Sequence, residues 1–389
     1  MAKTRKIMIV AGEASGDTHA AKLVHALRDV EPDTDFQFFG AAGPKMRDEG
    51  VDAVVKSDGL AIVGLAEIAV ALPMFLKAFN DLKRATVERK PDVVILVDFP
   101  DFNLKLAKTL MRKGFRIVYY ISPQLWAWRK YRVRSIKKYV DLMLTILPFE
   151  KDWYAKHGVE NVEYVGSPLA REVHSNIGKE EFCRKNYIDP SKPIVALLPG
   201  SRHKEIVRIL PVMLTAASEI SRQNENIQFL IAMASNRNMS DVKRAIDNAE
   251  SQGIPLPRTL NVLEGETYDA LNAADAAAVT SGTATLEAGI IGTPMAIVYK
   301  TSTLNYKLFE PMINVPHYGL INLIAEKRVA TELIQAEFTA ETLSDELLRL
   351  LEPDTNAAMR AELKIASDKL GHGGASKRAA EAILSEPPA

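Results

Sequence analysis

The chain is expected to fold as two successive doubly wound α/β halves. Three observations point there. Short apolar runs alternate with stretches at helical spacing, the alternation restarts after Gly166-Ser167-Pro168, and 389 residues are ample for two domains. In the first half, residues 7–11 form an apolar run, followed by a glycine-containing turn and by helical spacing over 20–27. Residues 36–39, 93–97, 102–111, 117–121 and 142–146 continue the alternation. In the second half the predicted strands are 194–198, 229–233, 261–263, 276–280 and 295–299. Helices are predicted through about residue 222, near 241–252, at 268–274 and at 285–291. The boundary is expected near 168–190. Ligands in such sheets sit at the carboxyl ends of the strands, so the cleft between the halves is the expected active site. Residues 340–385 are rich in Ala, Leu and Glu and read as helical.

Composition narrows the function. Forty-nine basic and 49 acidic groups give zero net charge, which excludes a globally basic nucleic-acid binder, and no nucleic-acid partner is expected. One cysteine, Cys183, makes an internal disulfide or a multi-cysteine zinc site impossible. The charge is nonetheless uneven, because residues 102–140 hold eleven Lys or Arg and no Asp or Glu. Such a block suits an anionic partner or, equally, a solvated basic face. The apolar run at the start, IMIVA, is too short for a signal-peptide core, and no stretch reaches the roughly 18 apolar residues of a spanning helix. A cytoplasmic protein able to touch a membrane surface is expected.

Several motifs fall at strand ends. Gly12-Glu13-Ala14-Ser15-Gly16-Asp17 follows the first strand; its glycines permit tight backbone, Glu13 and Ser15 can reach a cleft, and Asp17 can cap the helix. The alternative is a plain strand–helix turn. Asp98 follows the run 93–97, where burial would raise its pKa and improve it as a general base. The alternative is that Asp98 or Asp101 caps the next helix. Residues 124–134 interleave aromatics with cations, including Trp126, Arg129 and Arg132. This mix suits a single-stranded nucleic acid, a phosphate-bearing lipid, or a core tryptophan beside a solvated basic helix face. Residues 59–76 carry one charge, Glu67, and precede a run of cations. An apolar patch with Leu65, Ile68, Leu72 and Phe75 fits membrane contact, with a buried core helix as the alternative.

Two turns in the second half suit phosphate. Leu198-Pro199-Gly200-Ser201-Arg202 lies between a strand and a helix, where amides, the Ser201 hydroxyl and Arg202 can hold a diphosphate; Glu205 lies in the same first turn. Thr280-Ser281-Gly282-Thr283 repeats the design, and Glu287, one turn along, can accept hydrogen bonds from two ribose hydroxyls. The histidines are scattered and the only D-x-D, Asp33-Thr34-Asp35, reads as a loop, so no metal site and no cofactor is expected. Leaving-group charge would then fall to amides and Arg202.

GEASGD at 12–17, VDFPDFN at 97–103, YYISPQLWAWR at 119–129, LPFEKDWY at 147–154, LPGSR at 198–202 and TSGTATLE at 280–287 together resemble the lipid-A-disaccharide synthase family, in order from about residue 7 to 335. The resemblance implies a GT-B fold of two Rossmann-like domains and a metal-independent, inverting transfer. UDP-2,3-diacylglucosamine would be joined to the 6-hydroxyl of 2,3-diacylglucosamine 1-phosphate (lipid X), giving a β(1→6) disaccharide and UDP. It implies an acceptor and membrane-facing domain at 1–168, joined by the tail 345–389, and a UDP-sugar domain at 169–344. Asp98 matches the acidic catalytic position. Ser201, Arg202, Glu205, Ser281, Gly282, Thr283, Glu287, Asn322 and Gln335 fall in segments similar to the UDP-sugar site. Glu13, Ser15, Gly16, Trp126, Arg129 and Arg132 would serve the acceptor. The implied location is the cytoplasmic face of the inner membrane, and a homodimer that exchanges tails is compatible with the resemblance. Ser167 departs from the family pattern, where His is common, so no role is carried to it. Two other readings stand beside this one: a different UDP-GlcNAc transferase of envelope synthesis, and a non-catalytic membrane-surface binding protein. The first would be expected to open with a Gly-Gly-Thr-Gly-Gly-His-like loop, and the second leaves both phosphate-type turns unexplained.

Overall fold

The computed structural model describes residues 3–58, 68–234, 238–302, 306 and 315–385, with backbone only for 68–71. It divides into two compact units, residues 1–168 with 372–389, and residues 169–371. In the first, parallel strands β1 (Lys3–Ala11), β2 (Thr34–Ala42), β3 (Asp52–Lys56), β4 (Val93–Val97), β5 (Ile117–Tyr120), β6 (Leu142–Thr145) and β7 (Val162–Tyr164) stand in the order β3-β2-β1-β4-β5-β6-β7. Its helices are α1 (Ala14–Val30), α2 (Pro44–Asp48), α3 (Ile68–Arg89), α4 (Pro100–Met111), α5 (Val133–Tyr139) and α6 (Glu150–Ala155), and Ala375–Ser385 joins them.

Alternation along β1 shows why this sheet needs helices on both faces. Ile7, Ile9 and Ala11 enter one core with α1 and with Ala379, Ala380 and Ile383 of the last helix. Met8 and Val10 enter the other, with Leu82 of α3, Leu106 and Leu110 of α4 and Ile136 of α5. A parallel strand buried on both faces reads as an unbroken apolar run, as Val93–Val97 does. The tail helix therefore completes a core face. Arg116 donates to Ile383 O and Arg378 to Val165 O, fixing it there.

The second unit repeats the pattern. Strands β8 (Ile194–Leu198), β9 (Gln228–Met233), β10 (Leu260–Glu264), β11 (Ala276–Thr280), β12 (Met295–Tyr299) and β13 (Thr331–Ile334) are all parallel, in the order β10-β9-β8-β11-β12-β13. Helices α7 (Leu169–Glu172), α8 (Lys179–Lys185), α9 (His203–Gln223), α10 (Met239–Ser251), α11 (Thr267–Ala273) and α12 (Thr283–Ile291) are followed by Leu320–Ala325, Ala340–Leu351 and Pro353–Asp368.

Three expectations change here. The tail does not act as one piece: Ala340–Leu351 and Pro353–Asp368 belong to the second unit, and only residues from 372 on join the first. The former helix packs on α9 because its apolar face, with Leu343, Leu347 and Leu350 fully buried, matches that helix's own. Thr34 and Asp35 lie in β2, not in a loop, where the strand runs past the core with alternating exposure. Strands β3, β7 and β13 escaped the sequence reading because each closes or nears a sheet edge and needs no continuous apolar run.

Burying a charge where the tail meets the sheet should undo the docking. Ala380→Asp is expected to cost about 3 kcal/mol or more. Thermal unfolding of the two proteins side by side checks it, and an unchanged transition would contradict the packing.

Candidate active site

β1 and β4 are neighbours, with Ala11 opposite Val97, so residues 12–16 and 98–103 leave the same edge of the sheet side by side. The strand order reverses between them, which opens a crevice at their carboxyl ends. Gly12 is needed there, because a Cβ would stand 2.3 Å from the Phe99 ring. Glu13 and Ser15 are exposed at the start of α1, and Gly16 is buried against Ala11 and Val97. Asp17 does not cap its own helix. Its carboxylate accepts from the amides of Gly43, Lys45 and Met46 and so caps α2.

Asp98 and Phe99 are consecutive residues in the left-handed region, with φ of 46° and 50°. Burial, then the nearby Glu13 carboxylate, push the Asp98 pKa up to about 6, while the Phe99 amide pulls the other way. At pH 7 the group is mostly ionised yet near the pH at which a carboxylate is most effective as a base. Neither Asp98 nor Asp101 supplies a side-chain cap to α4. Asp101 instead accepts from Arg129 at 3.0 Å and from Arg132. Two guanidinium groups share one carboxylate, which leaves this cluster with one positive charge in excess.

Trp126 does not join them. It is buried, its Nε1 donates to Glu150 at 3.1 Å and its ring meets Phe149 edge-on. A core indole needs a partner for its N–H, and Glu150 supplies it. The exposed tryptophan is Trp128, stacked 4.2 Å under Arg129, with exposed Tyr131 nearby in sequence.

The expected membrane patch is divided. Leu65 and the side chain of Ile68 lie outside the described residues. Leu72 is 53% exposed, and Met74 and Leu76 are exposed beside it. Phe75 turns inward, 6.2 Å from Phe99 and 6.4 Å from Phe102. Helical spacing aligns Phe75 with Ala78 and Leu82, one and two turns on, and both of these are buried.

In the second unit β8 and β11 are neighbours, with Leu198 opposite Val279, which sets residues 199–205 beside 280–287. Gly200 has φ of 100°. The Glu205 carboxylate accepts from the Ser201 and Arg202 amides and from the Arg202 guanidinium at 2.8 Å. Glu205 thus caps α9 and occupies the loop amides itself. As an anion it would repel a diphosphate, so its expected ligand role is withdrawn. Arg202 stays 81% exposed on its side chain and can reach a ligand.

The second turn is braced from below. Ser281 Oγ donates to Tyr318 O, and Thr285 Oγ1 donates to Gly282 O while accepting from Leu320 N. Gly282 has φ of 145°, and Gly282 and Thr283 are exposed at the start of α12. Glu287 is partly buried, its pKa raised by desolvation, and accepts from Tyr268 Oη at 3.1 Å. It lines a cavity of about 250 Å³ with Asn176, Ala234, Gly265, Thr267, Tyr268 and others. These neighbours were missed in the sequence. The signal was the turn Gly265-Glu266-Thr267 at the carboxyl end of a short strand, which lacks a hydroxyl-and-glycine run.

Asn322 and Gln335 are reassigned. Asn322 is fully buried. Its Nδ2 donates to Ala330 O and Glu332, and its Oδ1 accepts from the Val329 and Ala330 amides, so the side chain braces a loop and has nothing left for a ligand. The Gln335 side-chain amide, oriented to satisfy both polar atoms, donates to Thr301 O at 3.1 Å and accepts from Thr301 N at 3.0 Å.

The family pattern for lipid-A-disaccharide synthetase matches residues 7–386. The chain belongs to the lipid-A-disaccharide synthetase family. A lipid-A-disaccharide synthase of Syntrophus aciditrophicus is 44% identical over 382 residues, covering 98% of this chain and 97% of the relative. One from Myxococcus xanthus is 41% identical over 385 residues, covering 99% and 98%. The fold is shared more widely. A putative UDP-N-acetylglucosamine 2-epimerase of Listeria monocytogenes superposes with a TM-score of 0.67 at 15% identity, covering 98% of this chain and 96% of that one. The calicheamicin glycosyltransferase CalG4 superposes at 0.58 and 15%, covering 98% of each. The protein is accordingly a glycosyltransferase of the GT-B architecture, with two Rossmann-like units.

Asn322→Ala should reveal the brace. Losing four buried hydrogen bonds at once is expected to cost about 3 kcal/mol. Denaturant unfolding measures it, and a loss under about 0.5 kcal/mol, the scale of a neutral surface change, would contradict the assignment.

Proposed function

We propose that this protein transfers 2,3-diacylglucosamine from UDP to the 6-hydroxyl of 2,3-diacylglucosamine 1-phosphate, with inversion and without a metal ion. The observation that carries this reading is Asp98: a half-hidden carboxylate with a pKa near 6 at the reversal of the first sheet, in a chain of this family. Asp98 takes the proton of the acceptor hydroxyl as its oxygen bonds to sugar C1. The C1–O bond to UDP breaks in the same step, and the electron pair leaves on the diphosphate. Attack opposite the leaving group turns an α-linked donor into a β product.

The second unit holds the nucleotide. Glu287, fixed by Tyr268, accepts from the ribose hydroxyls, and the cavity beside it receives the uridine end. The exposed amides that begin α12, at Gly282 and Thr283, meet the diphosphate together with Arg202, whose guanidinium exchanges Glu205 for phosphate oxygens. In the first unit, Arg129 and Arg132 outweigh Asp101 and favour the acceptor's phosphate, with Glu13, Ser15 and Gly16 forming the opposite loop.

Both substrates are acylated, so the enzyme works at a lipid surface, the cytoplasmic face of the inner membrane. Exposed Leu72, Met74 and Leu76 with Trp128 and Tyr131 suit an interface, where aromatic and aliphatic groups sit beside cations. Among the described residues, no helix is long and apolar enough to cross a membrane.

Asp98→Asn should leave UDP affinity intact while turnover falls by about 10²–10⁴. In the unaltered enzyme turnover should fall as pH drops below about 6, because protonation removes the base. Turnover is followed by release of UDP, and full activity of the variant would end the assignment. Arg202→Ala should weaken UDP binding by roughly tenfold or more, about 1.4 kcal/mol, by calorimetry. Changing Leu72, Met74 and Leu76 together to Ser should lower the fraction that sediments with anionic vesicles while leaving thermal stability unchanged.

A further inference from the structure

The backbone at Asp98 is held in place by two buried side chains that the reaction as described does not use. Asp98 and Phe99 both lie in the left-handed region, which costs a non-glycine residue free energy and persists only where the surroundings impose it. Two donors converge on one oxygen: Tyr119 Oη donates to Asp98 O at 2.6 Å and Asn103 Nδ2 at 2.8 Å. Asn103 Nδ2 also donates to Val97 O at 3.2 Å, so one amide spans the last residue of β4 and the catalytic residue. Both side chains are fully buried, and each comes from a different element, Tyr119 from β5 and Asn103 from α4. The Asp98 amide meanwhile donates to Tyr120 O. The turn is therefore tied to two elements at once.

The Asn103 amide shows what the arrangement costs. Its Oδ1 is buried and has no hydrogen-bond partner among the described residues, an unfavourable state for a carbonyl in a core. An apolar residue would avoid that penalty but would release both carbonyls. The Phe99 ring completes the restraint by lying over Gly12 and stacking on Phe102 at 5.6 Å.

We infer that Tyr119 and Asn103 are positioning residues, which hold the Asp98–Phe99 turn in its left-handed form and so aim the Asp98 carboxylate at the acceptor hydroxyl. The inference rests on the reading of Asp98 as the base. Relaxing the turn lets the carboxylate retreat toward water, so both the geometry of proton transfer and the environment of the group change together. The charged and titratable groups around this turn are Glu13 from the loop after β1, Asp101 from α4, Arg132 from the turn before α5, Tyr119 itself and Tyr154 from α6. None of these is removed by Asn103→Ser, and Tyr119→Phe removes only the hydroxyl, which stays neutral across the working pH range.

The test compares Tyr119→Phe, Asn103→Ser and Asp98→Asn in the full-length enzyme with both acyl sugars and detergent. For the first two, kcat should fall about 10- to 100-fold, the scale of a small misplacement of a reacting group, with KM for both substrates within about twofold. The acid limb of the kcat profile should move to lower pH as Asp98 becomes better solvated. A lowered melting temperature with unchanged kcat and an unmoved acid limb would overturn the positioning role, since that is what a purely structural hydrogen bond predicts. Asp98→Asn separates the two claims. If it abolishes turnover while Tyr119→Phe and Asn103→Ser match the unaltered enzyme, the positioning inference alone fails. If Asp98→Asn retains full turnover, the base assignment falls and this inference falls with it.

Discussion

The parallel pairing of β1 with β4, and of β8 with β11, is the constraint on which the chemistry depends. In each unit the chain starts at a central strand, builds outward on one side, and returns to add strands on the other. The helices that follow the two central strands then leave on opposite faces, the arrangement in which such sheets take ligands at the shared edge. Ala11 opposite Val97 brings Glu13 and Asp98 together, and Leu198 opposite Val279 brings Arg202 and Ser281 to one edge. Residues far apart in sequence become neighbours through backbone hydrogen bonding alone.

Electrostatics follow from that placement. Asp98 is hidden by the Phe99 turn and stands near a second carboxylate, so both desolvation and like charge raise its pKa. Asp101, three positions on, has two arginines and remains exposed, and it serves as a counter-ion. One short segment thus carries two carboxylates in different states, and the division is made by burial and partners. The same logic separates Glu205 from Glu287. The first is committed to backbone amides and an arginine at a helix start; the second keeps acceptor capacity beside a cavity, with one tyrosine to hold it.

Much of the fold was legible because strands buried on both faces leave unbroken apolar runs, as at 93–97, 194–198 and 276–280. The motifs were legible because glycine, hydroxyl and charge cluster where strands end. What could not be read was how each polar side chain spends its hydrogen bonds. Trp126 looked like a contact for an anionic lipid and is a core residue with a buried partner at Glu150. Asn322 and Gln335 looked like ligand groups and close loops. Phe75 looked like part of an apolar surface and packs on Phe99. In each case the partner lies elsewhere in the chain or across a turn, so local pattern carries no record of it.

By itself the sequence determined the α/β class, the division near residue 168, the polar and glycine-bearing loops at strand ends and the family. These depend on local periodicity and on residue types at strand ends. Only the tertiary structure decided which of those residues are available. It left Arg202 and Glu287 able to act, committed Glu205 and Asn322 to the scaffold, divided the tail between the units, and put Asp98 in a backbone conformation imposed by Tyr119 and Asn103. The physical reason is that a buried polar group must find a partner, and which partner it finds is settled by packing between elements that the sequence places far apart.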